Sequence, residues 1–341
     1  MEENKFDVIV IGSGMSGGWA AKEFTEKGMK TLVLERGRQV EHIKDYPTTN
    51  KAPWEFEFRK KPSKETREEY PIQSQVYAFN EATKHFFASD KKHPYTYPPD
   101  KPFRWIKGFQ TGGKSLTWWR QSYRLSKMDF EANGKDGQGV DWPVRYKDIA
   151  PWYDYVEEYI GVSGQNEGLE QLPDGKFLKP MELNCVEEHL KKTLDQDFDG
   201  RALTIGRAAH LTERHNERGP CQYRNMCETG CPFSGYFSSV SVTLPAAQKT
   251  GNMTFKPHAI VHSIIYDEKQ GKARRVRVIN AETKKTTEYF ARVIFLCAST
   301  LPSTQIMLNS TSDYFPNGIG NSSGTLGRHL MDHYRQNHHT H

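Results

Sequence analysis

The stretch DVIVIGSGMSGGWAAKEFTEKGMKTLVLERG, Asp7 to Gly37, decides the fold. Asp7 to Ile11 is a β-branched run, Trp19 to Lys27 has helical composition closed by Gly28, and Thr31 to Leu34 is a second apolar strand, so the segment predicts strand, tight turn, helix, strand. At the turn, Gly12, Gly14 and Gly17 make G-x-G-x-x-G, enclosing Ser13, Met15 and Ser16. In such a unit the first glycine permits the turn, the second lets backbone approach a pyrophosphate, and the third lets helix and strand pack closely. The free N–H groups of the helix N-terminus then face the phosphates. Glu35 closes the second strand, where a carboxylate binds a ribose hydroxyl; it favours a free 2′-hydroxyl and hence FAD or NAD, while the neighbouring Arg36 keeps an NADP reading open.

Gly14-Met15-Ser16-Gly17-Gly18 also spells G-x-S-x-G, the nucleophile elbow of an α/β-hydrolase with Ser16 as nucleophile. An elbow on the first strand has no earlier strand to supply its oxyanion loop, and it leaves Glu35 unexplained.

The 341 residues suffice for one large or two ordinary domains, and 36% hydrophobic with 26% charged residues is a globular balance. No window approaches the roughly 18 consecutive apolar residues of a membrane helix. The start MEENKFDVIVIG carries acidic residues ahead of its first apolar run, unlike a signal peptide, so the expectation is synthesis as a cytoplasmic protein. A net charge of +5 arises from 47 basic and 42 acidic residues mixed along the chain; even the densest run, FRKKPSKETREE from Phe58, has both signs and reads as a solvated face rather than a nucleic-acid site.

Further segments carry a pattern of their own. GFQTGGKSLTWWRQSYRLS, Gly108 to Ser126, sets paired glycines before small hydroxyl residues and tryptophans, as where backbone approaches a flat ring. Then come NMTFKPHAIVHSI with strand alternation, ARVIFLCASTLPSTQIMLNS as an apolar strand turning into a helix, and GNSSGTLGRHLMDH. In this order and spacing the chain, from Asp7 to about His333, resembles the glucose–methanol–choline (GMC) oxidoreductases, FAD enzymes that oxidise alcohols and sugars.

The resemblance implies an α/β fold: a Rossmann-like FAD-binding domain with an inserted α+β substrate domain, the C-terminal part missing. It divides the chain into a discontinuous FAD-binding domain, 1–44, 103–126 and 207–341, and a substrate or cap region, 45–102 and 127–206. Gly112, Gly113, Ser115, Thr117 and Trp118 match the segment along the flavin, Val261 the strand on the adenine side, and Ala298 the strand that usually ends in Ala-Gly; Ser299 replaces that glycine. Thr117 stands where some members carry a flavin-linking histidine, so the resemblance implies non-covalent FAD. The family's catalytic histidine pair lies beyond His341, which implies a truncated chain with no assignable catalytic residue; an inactive FAD-binding remnant is the alternative. His329 and His333 sit four apart, but HLMDH lacks the glutamate of a zinc-binding H-E-x-x-H.

CQYRNMCETGCP, Cys221 to Pro232, packs three of the five cysteines into eleven positions with the spacing C-x5-C-x3-C-P. Five cysteines do not pair evenly, which argues against a disulfide scaffold, and Cys297, inside an apolar run, reads as a small hydrophobe. Three thiolates and a following proline suit an iron–sulfur cluster; zinc completed by a remote histidine and a metal-free loop stay open. Here the chain resembles the FAD catalytic subunits of gluconate, fructose and glucose dehydrogenases, which carry a three-iron [3Fe-4S] cluster in a similar N-x-C-x3-C-P segment, matched by Asn225, Cys227, Cys231 and Pro232. That resemblance implies Cys221, Cys227 and Cys231 as ligands, a sugar or alcohol substrate, and hydride transfer to flavin followed by one-electron transfer to a cytochrome c. It also implies a small export subunit that carries the protein to the periplasm.

Overall fold

In the computed structural model, which describes residues 4–330, the regular elements are six strands and seven helices. The strands are β1 (Lys5–Ile11), β2 (Thr31–Leu34), β3 (Met253–Lys256), β4 (Ala259–Asp267), β5 (Lys272–Asn280) and β6 (Thr286–Leu296). The helices are α1 (Met15–Glu26), α2 (Lys64–Glu69), α3 (Lys127–Asp136), α4 (Tyr146–Ile160), α5 (Cys185–Asp197), α6 (Thr243–Lys249) and α7 (Thr300–Leu308).

Two compact units emerge, one from residues 1–40, 108–113 and 243–341, the other from 41–107 and 114–242. Against the expected boundaries, only 108–113 of the stretch 103–126 goes with the first unit, and 207–242 packs within the second.

The first unit is built on one sheet of order β3-β2-β1-β6-β5-β4. The β3, β2, β1 and β6 neighbours run parallel, while β4, β5 and β6 form an antiparallel meander. Parallel strands are buried on both faces, and β1 and β2 are correspondingly apolar runs rather than alternating ones. Ile9, Ile11, Leu32 and Leu34 join one core cluster with residues of β4 to β6, and Val8, Val10 and Val33 join the other with Ala21 of α1 and Leu244 and Ala247 of α6.

Helix α1 begins at Met15, four residues before its composition becomes helical, because Gly17 and Gly18 are absorbed into its first turns. Gly28 follows it at φ 78°, a left-handed position that favours glycine. The run NMTFKPHAIVHSI divides into two strands at Pro257 and His258, the latter at φ 56°. Proline donates no N–H to a ladder, so β3 stops there. The second unit is helical and loop-rich, with α3 capped by Ser126 and Asp129 in a capping box and α4 tied by its buried Glu157 to Arg124 at 2.8 Å.

Candidate functional site: a glycine turn and a cysteine loop

In the first unit, the turn after β1 divides its three glycines by role. A Cβ on Gly12 would sit 2.5 Å from the Cys297 carbonyl oxygen, and one on Gly17 would sit 1.9 Å from the Gly12 carbonyl oxygen. Both glycines are therefore demanded by the fold. A Cβ on Gly14 would meet no atom within 4 Å. Nothing in the chain's own packing demands glycine at the N-cap of α1, yet Gly14 borders the space in front of the helix's first amides, where an anion is favoured. Gly113 approaches the same point, a Cβ on it lying 3.5 Å from the Gly14 Cα, and at φ 48° it also needs glycine's freedom. This cradle, which side chains would fill, fits a dinucleotide pyrophosphate.

Glu35 is buried just beyond β2. Its Oε2 accepts from the Ser13 hydroxyl at 2.5 Å and the Ser13 N–H at 3.1 Å, and its Oε1 accepts from the Gly37 N–H at 2.9 Å. Burial raises its carboxyl above the usual range even though these donors pull it down. Gly112 N–H in turn donates to Ser13 Oγ at 3.1 Å, so Ser13 and Glu35 bind the turn to the paired-glycine segment. Of about four acceptor positions on a carboxylate, three are used, which leaves one for a ribose hydroxyl. The Arg36 guanidinium lies 3.7 Å over the Phe109 ring.

The remaining expected residues are placed unevenly. Met15 opens α1, and Ser16 follows inside its first turn rather than at an elbow, so the nucleophile geometry of a hydrolase is not formed. The Ala298 Cα would lie 3.1 Å from a Cβ on Gly12, beside the turn. Val261 is buried in the sheet core, where its side chain packs with the cluster of Ile9 and Leu34. Ser299 caps α7 at φ 72°, the conformation that the family's glycine would adopt at ease.

Ser115, Thr117 and Trp118 belong to the second unit, where Ser115 Oγ accepts from the Ser239 N–H at 3.0 Å, the Thr117 carbonyl from the Tyr77 hydroxyl at 2.8 Å, and the Trp118 indole donates to the Phe237 carbonyl at 3.0 Å. His329 is exposed, and His333 lies outside the described residues.

The cysteine loop also lies in the second unit. Gly230, at φ 94°, packs on the Tyr46 ring, and a Cβ on Gly235 would lie 3.1 Å from the Cys221 Cα, so both glycines let the loop close. Thr48 Oγ1 donates to the Gly230 carbonyl at 2.8 Å, and Lys60 pairs with Glu228 at 3.3 Å. Tyr223, Asn225 and Ser234 all hold positive φ, a concentration of backbone strain typical of functional loops.

All three thiols are free and half-buried, and each faces one nitrogen: Cys221 Sγ the Tyr223 N–H at 3.4 Å, Cys231 Sγ the Gly235 N–H at 3.4 Å, and Cys227 Sγ the His210 Nε2 at 3.8 Å. Burial pushes the Cys227 thiol up while the Arg120 charge pulls it down. Burial and Arg120 together bring His210 down to about 4, so its imidazole is neutral.

Among the described residues, no group of three or more His, Cys, Asp or Glu side chains is arranged to hold a metal ion. The sulfurs are thus not gathered as the ligand set that their spacing implied, each being turned to its own nitrogen. Sequence reasoning missed Arg120 and His210; the only signal was a lone arginine after two tryptophans in a segment of small and aromatic residues.

The chain is 25% identical over 344 residues to the fructose dehydrogenase large subunit of Gluconobacter japonicus, covering 96% of this chain and 58% of that one. It is 24% identical over 369 residues to the gluconate 2-dehydrogenase flavoprotein of Pantoea cypripedii, covering 96% of this chain and 56% of that one. The chain therefore spans little more than half the length of these relatives. The pyridoxine 4-oxidase of Mesorbium loti shares the fold, with a TM-score of 0.51 at 16% identity over 89% of this chain and 51% of that one. The GMC oxidoreductase model matches residues 6–335, nearly the whole length, and implies FAD as the cofactor. The chain with this glycine turn and paired-glycine segment belongs to the GMC oxidoreductase family.

Proposed function

We propose that this chain is the FAD-holding part of a dehydrogenase that oxidises a hydroxyl of a sugar, glycoside or sugar acid. The observation that carries the reading is the turn at Gly14, where the packing of the chain leaves room for a side chain and yet glycine stands at the mouth of a helix N-terminus. FAD, when bound, supplies hydride acceptance from the carbon bearing the hydroxyl. The first amides of α1 and the Gly12–Gly14 backbone hold the pyrophosphate, and Glu35 accepts from a ribose hydroxyl. In this reading Gly112, Gly113, Ser115, Thr117 and Trp118 correspond to the family segment along the flavin, Val261 to the strand on the adenine side, and Ala298 to the strand that usually ends in Ala-Gly. Thr117 offers no imidazole, so the flavin is held without a covalent link. No residue of this chain is assigned to removing the hydroxyl proton. The sugar class is supported by relatives named for fructose and gluconate.

Cys221, Cys227 and Cys231 would hold a [3Fe-4S] cluster, which supplies one-electron acceptance. Supporting this reading is the C-x5-C-x3-C-P spacing. In this reading the electron acceptor is a cytochrome c. The relative named a large subunit supports a further subunit, here a small one that accompanies the protein from the cytoplasm to the periplasm.

Protein purified without oxygen is expected to be yellow, to release all of its FAD on acid precipitation, to contain iron and acid-labile sulfide and, when joined to the remainder of a full-length dehydrogenase, to bleach with fructose or gluconate. Flavin retained in the precipitate would refute the non-covalent link, and equal bleaching by simple aliphatic alcohols would refute the sugar class. Cys227→Ser is expected to lose iron while keeping FAD; stoichiometric zinc in the parent protein would return the cysteines to a structural role.

A further inference from the structure

Trp119 and Tyr77 are each 57% exposed in the second unit, yet neither is a loose surface side chain. Their rings meet edge to face, with centroids 4.7 Å apart and an interplanar angle of 82°. The Tyr77 hydroxyl donates to the Thr117 carbonyl at 2.8 Å, which ties the tyrosine to the segment that carries the tryptophan. On either side of Trp119 the chain is anchored: the Trp118 indole donates to the Phe237 carbonyl at 3.0 Å, and the Arg120 carbonyl accepts from the Ala209 N–H at 2.8 Å. Arg120 is buried at φ 68°, a left-handed conformation that is costly for an arginine and that holds the bend at which Trp119 stands in solvent.

Single apolar residues on a surface need no explanation, but an aromatic pair kept in water by a strained backbone does. Tyrosine and tryptophan offer large, stiff, amphipathic contact area at little entropic cost on binding. The face of each ring is electron-rich and attracts C–H groups. A cyclic sugar presents a flat face of C–H groups inside a rim of hydroxyls, whereas an open-chain sugar acid presents no such face. The Trp119 indole N–H and the lone pairs of the Tyr77 oxygen suit the hydroxyl rim.

We propose that Trp119 and Tyr77 form the platform on which the ring of a cyclic sugar lies, so that they select ring sugars and glycosides over open-chain sugar acids. This rests on the reading of the chain as the FAD-holding part of a sugar dehydrogenase, in which Thr117 and Trp118, directly before Trp119, correspond to the segment along the flavin.

The test measures fructose and gluconate binding, by saturation-transfer NMR and tryptophan fluorescence, to the FAD-loaded chain and to Trp119→Leu, Trp119→Phe and Tyr77→Leu, with FAD content as the control for folding. Trp119→Leu is expected to keep parental FAD and to lose fructose affinity by about tenfold or more, and Tyr77→Leu by less. Trp119→Phe, which keeps an aromatic face, is expected to retain most of the affinity. Gluconate is expected to bind more weakly than fructose and to be indifferent to all three substitutions. Parental fructose affinity in Trp119→Leu would overturn the proposal. So would equal losses in Trp119→Leu and Trp119→Phe, an equal loss of gluconate affinity, or loss of FAD from Trp119→Leu. A parent chain that holds FAD and binds no fructose overturns the platform and leaves the FAD reading standing, whereas a parent chain that holds no FAD defeats that reading and this inference with it.

Discussion

At the turn Gly12–Gly17 the backbone itself forms the proposed binding surface, whereas at the loop Cys221–Gly235 side chains from several segments are brought to one place. The turn is fixed by contacts between main-chain atoms: Gly12 against the Cys297 carbonyl, Gly17 against the Gly12 carbonyl. The loop is fixed by its surroundings, through Tyr46, Thr48, Lys60 and His210, and holds three non-glycine residues at positive φ. A site made of backbone is complete once its glycines are placed. A loop held by neighbouring side chains depends on its company, and backbone strain gathers at the second region.

The contrast predicts where substitutions break the fold and where they break binding. The largest effect is expected at Gly17: Gly17→Ala drives a methyl into the Gly12 carbonyl, so loss of soluble protein or a destabilisation above about 4 kcal/mol is expected in denaturant titration. Parental stability in Gly17→Ala would mean that the turn is not built from main-chain contact. Next comes Glu35→Gln, which replaces an acceptor-only carboxylate facing three donors by an amide, at a cost of about 1–3 kcal/mol. That should appear both in stability and in weaker FAD retention, since the carboxylate serves turn and cofactor together; unchanged retention would confine Glu35 to the fold.

The smallest effect concerns the loop's surroundings. His42 Nε2 meets Ser234 Oγ at 3.0 Å and its Nδ1 meets the Tyr46 hydroxyl at 3.1 Å. Burial holds this imidazole below its ordinary value of 6.5. A depressed base contributes stability that is present above pH 6.5 and lost as pH falls through the folded value. His42→Gln is therefore expected to flatten the fall in unfolding free energy between pH 7 and pH 5. An equally steep fall in His42→Gln would assign the acid sensitivity elsewhere.

The two regions also differ in how far the sequence discloses them. The first strand, turn, helix and second strand were legible because their signals are local: β-branched runs, glycine spacing, and Glu35 closing the second strand. The division of β3 from β4 at Pro257 was hidden in an alternation that looked continuous, and the hairpin partner β5 had no signal strong enough to single out. The clustering of the three cysteines was legible from spacing, but His210 comes from 11 positions before Cys221, and only the packing of the second unit brings it to the Cys227 sulfur. Residues that act through burial leave no periodic mark.

The measurement that bears most directly on the central claim is the FAD content of Gly14→Val beside that of the parent protein, each checked for folding by denaturant titration. A Cβ at Gly14 meets no atom within 4 Å, so the variant is expected to fold with near-parental stability and to be colourless, because its side chain occupies the approach to the α1 amides. Equal flavin occupancy in a folded Gly14→Val protein would show that this turn is not where the cofactor's pyrophosphate is held.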